Sequence, residues 1–525
     1  MLNQENIFSS DINLSEKLQG ALLQLRQNEE LIENYKKEIS WLHELLATLK
    51  RAKFGRKSEK WETEEQQVFN EIEAEAKKPD ASIEEEAEED AVEIKVAAHT
   101  KKRGHRKPLP EGLPREIEKI ELPVEEQVAA DGSKLKVIGW DISEKFKYEP
   151  AKMSVIEYHR AKYGVDSGDY EKTAPPKPSI IPKGIATPEL LSAIIVSKYC
   201  DGLPLYRIED IFTRMGIDLS RGTMARWMVK VAEALMPIRN VLSDRLLASF
   251  YVASDETHVQ VLKENGRKAE DKSWMMVRST PYGEKKVILF DYNRSRSGSV
   301  MLDLFLDYTG ILQCDGLNSY DVLEEKDVVR IGCSMHARRR FEQAAIDGAK
   351  SGKSLGEKGL LFFKNLYDLE EEIKEKPPDE RKRIRNEVAL PIWLELKSWC
   401  DVNQPKVPKK SKIGQAFHYF INEYEYLIGY LKDGRLNIDN GFTERAIRKF
   451  AIGRNNWMFS DTVDGANASS LLYSLIVTAK VNGVDPYKAM VKICTEIPKA
   501  KTIDDYERLA DIILSPEIKP GKTGL

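Results

Sequence analysis

The chain has 525 residues, a length that points to three or four domains, each able to bury its own core, rather than to one compact domain. At 41% hydrophobic and 32% charged residues, with 31 Gly and 23 Pro, the composition excludes collagenous, wholly disordered and small disulfide-stapled classes. The net charge of -4 is unevenly spread: Glu62 to Glu93 holds fourteen acids and two lysines, a balance of -12, which leaves +8 on the rest. Ordinary solvated surface accounts for such an excess as readily as a nucleic-acid partner does.

No apolar run reaches the roughly eighteen residues of a membrane span, and the opening MLNQENIFSS lacks the basic and apolar regions of a secretory signal. The expected location is cytoplasmic, with no membrane partner. Cys200, Cys314, Cys333, Cys400 and Cys494 are read as reduced packing residues, without a disulfide framework or zinc-knuckle spacing.

In chain order, residues 1–60 carry two seven-step series: Leu18, Leu25, Ile32, Ile39, Leu46 and Leu14, Ala21, Asn28, Tyr35, Leu42, Leu49. These are the a and d positions of a coiled coil, with Asn28 the polar seam residue that sets register or oligomer state. A homodimer or higher oligomer formed through this helix is expected; a long helix folded onto its own chain is the other reading. Its end is basic, KRAKFGRKSEKWE. Residues 61–95 are acidic and too poor in apolar side chains to offset the entropy of ordering, which predicts a flexible linker. Residues 96–120 form a basic arm in which Arg103, Arg106 and Lys107 precede extended proline backbone. Such an arm suits a minor groove or a phosphate track, or is simply an exposed linker.

Residues 121–177 read as short strands with turns, closing in the cluster APPKPSIIPKG. Residues 178–245 turn helical. Thr187 caps a first helix with Pro188 at its first position, Gly216 stops a second, and Ser220 caps a third. The last two form a candidate helix-turn-helix, with Arg221, Thr223 and Arg226 on the turns that would face a groove. Helical hairpins that touch no DNA share this pattern.

From residue 246 to 352 the period changes to that of strands: SFYVASDETHVQVL, KSWMMVRST and KKVILFDYN, then a helix, a fourth strand ending at Asp315, and a fifth leading into another helix. That order begins a ribonuclease H-like layout. Residues 353–431 are charged and helical, an insertion whose segment EEEIKEKPPDERKRIRNE reads as a solvated pair broken at Pro377 and Pro378. Residues 432–460 return to the core with a helix capped by Asn440, carrying Glu444 on its first turns and ended by Gly453. In the C-terminal helical region, 461–525, ASSLLYSLIVTAKV is a buried helix too short for a span.

Asp255, Asp315 and Glu444 thus supply three carboxylates from three elements, a donor set suited to magnesium. Two such ions can activate an attacking oxygen and stabilise a leaving one in phosphoryl displacement. Bland readings stand beside this one. Asp315 before Gly316 fits an ordinary turn, and Glu444 can pair with Arg448 one turn on. An acid within a strand, as at Asp255, is expensive to bury without a neutralising partner.

The strings RAKFGRKSEK, IPKGIATPELLSAIIVSKYCDGLPLYRIEDIFTRMGIDLSRGTMARW, DETHVQVL, QCDGLNSY, GCSMHARRRF and DNGFTERAIRKFAIGRNNWMFSDTVDGANASSLLYSLIVTAKVNGVDP resemble the large transposase of the insertion-sequence 66 family. The resemblance runs in order over nearly the whole chain. It implies a DDE transposase of multidomain α+β class: an N-terminal coiled coil, a helix-turn-helix, and a ribonuclease H-like α/β catalytic core with a helical insertion. It further implies metal-dependent cleavage at terminal inverted repeats and strand transfer to target DNA. Asp255, Asp315 and Glu444 would be the catalytic acids and ligands of two Mg2+ ions, with Mn2+ as a substitute. DNA and accessory proteins of the same element would be partners, in a nucleoid-associated setting. A catalytically inactive DNA-binding regulator or end-binding remnant is the alternative.

Arg445, Arg448 and Arg454 near the third acid would hold phosphates, with Trp457 either stacking on a base or packing in the core. His336 is an auxiliary candidate, near the metals or purely structural. One departure stands out: the cysteine pairs of the family's zinc module are replaced by VAADGSKL and KYGVDSG, so no zinc is expected in the protein.

Overall fold

The computed structural model describes residues 153–160, 162–164, 171–173, 175–348 and 354–515, together with Asn28. The rest of the expected coiled coil, the acidic linker, the basic arm with Arg103, Arg106 and Lys107, and most of the segment 121–177 lie outside the described residues. Within that segment, β1 (Lys162–Gly164) and β2 (Glu171–Thr173) pair antiparallel and belong to a unit of their own.

In the larger unit, a long amphipathic run beginning at Phe250 makes β3 (Tyr251–Lys263), the centre of a sheet. β4 (Lys272–Ser279) and β5 (Ile288–Asn293) follow antiparallel, as consecutive strands joined by tight connections do. On the other side of β3 lie β6 (Ile311–Cys314) and β7 (Val329–Gly332), both parallel to it, giving the order β5-β4-β3-β6-β7. A short β8 (Ser460–Thr462) pairs with the far end of β3.

Helix α1 (Pro188–Tyr199) starts where the Leu190 N–H donates to Thr187 Oγ1, at 3.3 Å. α2 (Leu205–Arg214) ends at the turn that Gly216 closes with φ +77°, a conformation open to glycine. α3 (Arg221–Leu247) opens on Ser220, whose Oγ accepts from the Thr223 N–H. It continues through Pro237, because buried Leu235, Ile238, Leu242 and Leu246 keep a helical stripe facing inward. α1, α2 and α3 share one hydrophobic core with the sheet. The long C-terminal helix α11 (Val463–Val481) closes that core against α3 and β5.

α4 (Gly298–Leu304) links β5 to β6, and α5 (Ser334–Gly348) leaves the end of β7. The expected insertion is four helices, α6 (Leu355–Glu372), α7 (Pro378–Ile384), α8 (Leu390–Asn403) and α9 (Lys412–Leu427). They enclose a second hydrophobic cluster, in which Phe341 of α5, Phe363, Trp393, Phe417 and Phe420 interlock. The charged segment between α6 and α8 is not simply solvated. Arg385 is fully buried, gripping both carboxylate oxygens of Glu370 at 2.6 and 2.8 Å and the carbonyls of Tyr430, Asp433 and Leu436. A guanidinium survives burial only with its donors satisfied in this way.

α10 (Gly441–Trp457) and α11 (Val463–Val481) complete the core, followed by α12 (Pro486–Glu496) and α13 (Ile503–Leu514). Gly453 does not end α10, as expected, but lies buried inside it. A Cβ there would stand 2.3 Å from both the Trp457 ring and the Tyr473 hydroxyl, so glycine serves close packing rather than termination. The helix stops at Met458, whose φ is +65°. No described helix is long and apolar enough to cross a membrane.

Candidate active site

Asp255 stands in the middle of β3, opposite Val277 of β4. The parallel register aligns Ala253 with Gln313, so two residues further on Asp255 comes level with Asp315, just beyond the end of β6. There Asp315 Oδ1 accepts from the Leu317 N–H at 3.0 Å, an Asx turn that carries the chain off the sheet. The turn reading and the acid reading of Asp315 are therefore compatible.

Glu444 comes from the first turn of α10, and this helix is anchored to β3 at both ends. Asn440 Nδ2 donates to the Ser254 carbonyl at 2.9 Å, beside Asp255, while Arg454 bonds Thr257 Oγ1 and the His258 carbonyl. A third tie joins Thr443 and Ser279 hydroxyls at 2.7 Å. Asn440 makes no side-chain cap, contrary to expectation: its Nδ2 is held by the neighbouring strand, and its Oδ1 accepts no hydrogen bond from the helix.

The acids act on one another electrostatically, although among the described residues Asp255, Asp315 and Glu444 do not together bring their carboxylate oxygens within 4.8 Å of one another. Burial, then the charges of Glu444, Glu256 and Asp315, push the Asp255 carboxyl well above its usual range. Glu256, which the sequence reading did not single out, is a fourth acid of the group. Burial and Asp315 raise it, while Arg296 at 2.8 Å and the Tyr320 hydroxyl at 3.3 Å pull the other way. Its position directly after Asp255 was the available signal. Neighbouring charges that hold Asp255 and Glu256 up in this way favour a cation beside them.

Glu444 is drawn a different way. Its Oε2 accepts from Arg339 at 2.8 Å, and its Oε1 faces His336 Nδ1 at 3.6 Å; Arg448, the partner expected from helical spacing, is exposed. Among the described residues, the metal-ligand atoms that gather within 4.8 Å of one another belong to Cys333, His336 and Glu444. The cysteine reading needs correction here. Cys333 and His336 stand in a Cys-x-x-His spacing across the β7–α5 junction, which treating the cysteines as packing residues passed over.

The expected DNA contacts are distributed over two helices. Arg221 and Arg226 are exposed on the first turns of α3, whereas Thr223 is half-buried, its hydroxyl engaged by Ser220 and by Arg226 at 3.0 Å. Glu209 Oε1 accepts from the Arg221 N–H. On α10, Arg445 and Arg448 are exposed, and Arg454 is the strut to β3 described above. Trp457 is half-buried beside Tyr473, with Lys198 Nζ 4.0 Å above its ring, so its face is covered by a cation.

Comparison with known proteins agrees with this architecture. Residues 183–468 match the model of the Transposase IS66 family, and residues 41–117 match one described as Transposase C of IS166 homeodomain. The chain is 31% identical over 428 residues to the uncharacterized protein y4qI of Sinorhizobium fredii, covering 78% of this chain and 79% of that one. Two further uncharacterized proteins of that organism, y4hP and y4jD, are 27% and 29% identical, covering 79% and 76% of this chain and 78% and 80% of theirs. With a family match over more than half its length and a relative of this identity along most of both chains, the protein belongs to the IS66 family of transposases.

Proposed function

We propose that the protein is a DDE transposase that cleaves DNA at the ends of an insertion sequence and joins them to a target, on a ribonuclease H-like sheet. Family membership makes transposition the role and DNA the partner. The carrying observation is that Asp255, in the middle of β3, feels the charges of Asp315, just beyond β6, and of Glu444, on the first turn of α10, and that burial and these charges hold its carboxyl well above the usual range. The strand order, three antiparallel strands followed by two parallel ones, supports the same reading.

The donor chemistry fits a hard divalent cation, since the three acids offer only oxygen and Glu444 Oε1 is buried without a hydrogen-bond partner. Asp255, Asp315 and Glu444 would hold Mg2+, which when bound supplies stabilisation of the attacking and leaving oxygens of the phosphodiester. The chain's own contributions are positioning and charge. Asn440 and Thr443 fix α10 against β3 and β4, Arg296 and Tyr320 hold Glu256, and Arg339 keeps a guanidinium beside the third acid. Arg445 and Arg448 on α10, and Arg221 and Arg226 on α3, are positioned to meet the phosphate backbone, so binding weakens steeply with salt.

The test is a magnesium-dependent nicking assay on DNA carrying the element's ends. Asp315→Asn and Glu444→Gln are expected to lose nicking while retaining end binding in a gel shift. Nicking at the wild-type rate in both variants would overturn the assignment. Absence of nicking in the wild type, with end binding intact, would leave a DNA-binding regulator instead.

A further inference from the structure

At the junction where β7 passes into α5 and the chain enters α10, polar atoms lack partners to an unusual degree. Seven buried side-chain nitrogen or oxygen atoms among the described residues have no hydrogen-bond partner, and four are here: Ser334 Oγ, Asn440 Oδ1, and the facing pair His336 Nδ1 and Glu444 Oε1, 3.6 Å apart. Buried polar groups are normally satisfied, and such orphans call for an explanation, an absent ion being one. Cys333 lies at the same point, fully buried, and its sulfur accepts from the Asn440 N–H at 3.2 Å. The sulfur is thereby set up as an acceptor and so as a ligand.

We propose that Cys333 Sγ, His336 Nδ1 and Glu444 Oε1 form a site for a borderline transition-metal ion, of the zinc or cobalt(II) kind. The donor set of thiolate, imidazole and carboxylate is one that hard magnesium does not choose and that zinc does. In tetrahedral coordination, ligand atoms at the usual bond lengths stand about 3.3–3.8 Å apart. His336 Nδ1 and Glu444 Oε1 already lie at 3.6 Å, and all three atoms lie within 4.8 Å, so a contraction of about an ångström closes the set. Binding exchanges one bond for another: the thiol proton leaves to solvent and the sulfur lone pair goes to the metal, while His336 binds through Nδ1 with its proton on Nε2. The two anionic ligands offset the positive N-terminal end of α5, which alone would repel a cation. Three protein ligands leave a fourth position open.

The site lies outside the segment 121–177, whose missing cysteines led to the expectation of a protein without zinc, and it departs from that expectation, which did not pair Cys333 with His336. Its consequence rests on the proposed function: Glu444 serves both ion sets, so an ion held by Cys333 and His336 withdraws the third acid and inhibits magnesium-dependent cleavage.

The experiment is a cobalt(II) titration of the full-length protein, read by absorption and by proton release. One cobalt per chain is expected, with a near-ultraviolet thiolate-to-cobalt band that zinc abolishes by displacement. Cys333→Ser should lose that band, and His336→Ala should weaken cobalt binding at least about tenfold. Cys200→Ser, a thiol at the end of α1, should keep the band. Circular dichroism of each variant checks folding, and with both ligand variants available a collapse of one does not remove the test. No near-ultraviolet band in the wild type, or the same band in Cys333→Ser, overturns the site. A band present and ligand-dependent in a protein that never nicks DNA upholds the site and overturns only the catalytic reading. A band accompanied by undiminished nicking at saturating zinc overturns the inhibitory role.

Discussion

On α11 and at its C-cap, Ser474, Thr478 and Asn482 recur every four residues, and each is in contact with both a backbone N–H and a backbone carbonyl of β5 or of the chain leading into it: Phe290, Ile288 and Lys286 in turn. β5 is the last strand of the sheet, so these are the groups an edge would leave unpaired. At the junction of β7, α5 and α10, Ser334 and Asn440 are as deeply placed and His336 and Glu444 half-buried, yet each keeps a buried polar atom without a hydrogen-bond partner. The first region uses polar side chains to finish a sheet, and every one is paid back in hydrogen bonds. The second leaves capacity unspent beside four acids that repel one another. Buried polarity that is fully matched reads as architecture; buried polarity that is unmatched, next to convergent ligands, reads as a place for a ligand.

Breaking the second region should show in chemistry rather than in folding. Asp315→Asn or Glu444→Gln is expected to lower magnesium-dependent nicking by roughly a thousandfold or more, the equivalent of several kcal/mol of charge stabilisation. The assay is single-turnover cleavage of end-bearing DNA. Breaking a matched site should do the reverse. Arg385→Ala strands three carbonyls within the insertion and leaves the Glu370 carboxylate only the longer contact with Arg381, and a loss of about 3–5 kcal/mol is expected in urea unfolding. A smaller loss, about 1–3 kcal/mol, is expected for Thr478→Val, which keeps the shape but leaves the N–H and carbonyl of Ile288 unpaired. Hydrogen exchange at Ile288 would localise that effect to the edge strand.

The sharpest contrast is the smallest effect. Because the Asp255 carboxyl sits above its ordinary range, protonation stabilises the folded state. That contribution is fully present below the ordinary carboxylate pKa and is lost as pH rises through the raised one. In chelator at neutral pH, Asp255→Asn should therefore be more stable than the wild type, with the difference closing near pH about 4. A destabilised Asp255→Asn protein at neutral pH would place Asp255 with the matched residues of α11 instead.

Much of this was readable along the chain. Caps at Thr187 and Ser220, the turn at Gly216, and the run of strands from β3 to β7 follow from local patterning, which acts over a few residues. The placement of Asp255 within a strand, Asp315 after one and Glu444 at a helix start belongs to the same class. What spacing could not tell was which groups meet through space. Glu444 turns to Arg339 and His336 rather than to Arg448, and Asn440 spends its amide on Ser254. Arg385, in a stretch that reads as solvated, is buried because α6 and the turn before α10 close over it.

The sequence by itself determined the order of elements, the acids they carry and the family, because hydrophobic period, capping and motif are properties of neighbours in the chain. Tertiary structure alone decided the partner of every buried charge, the role of Gly453 inside a helix and the gathering of Cys333, His336 and Glu444. Those depend on distances of a few ångströms between residues separated by as many as 111 positions, from Cys333 to Glu444, and side-chain pairing energies fall off too steeply for sequence separation to stand in for them.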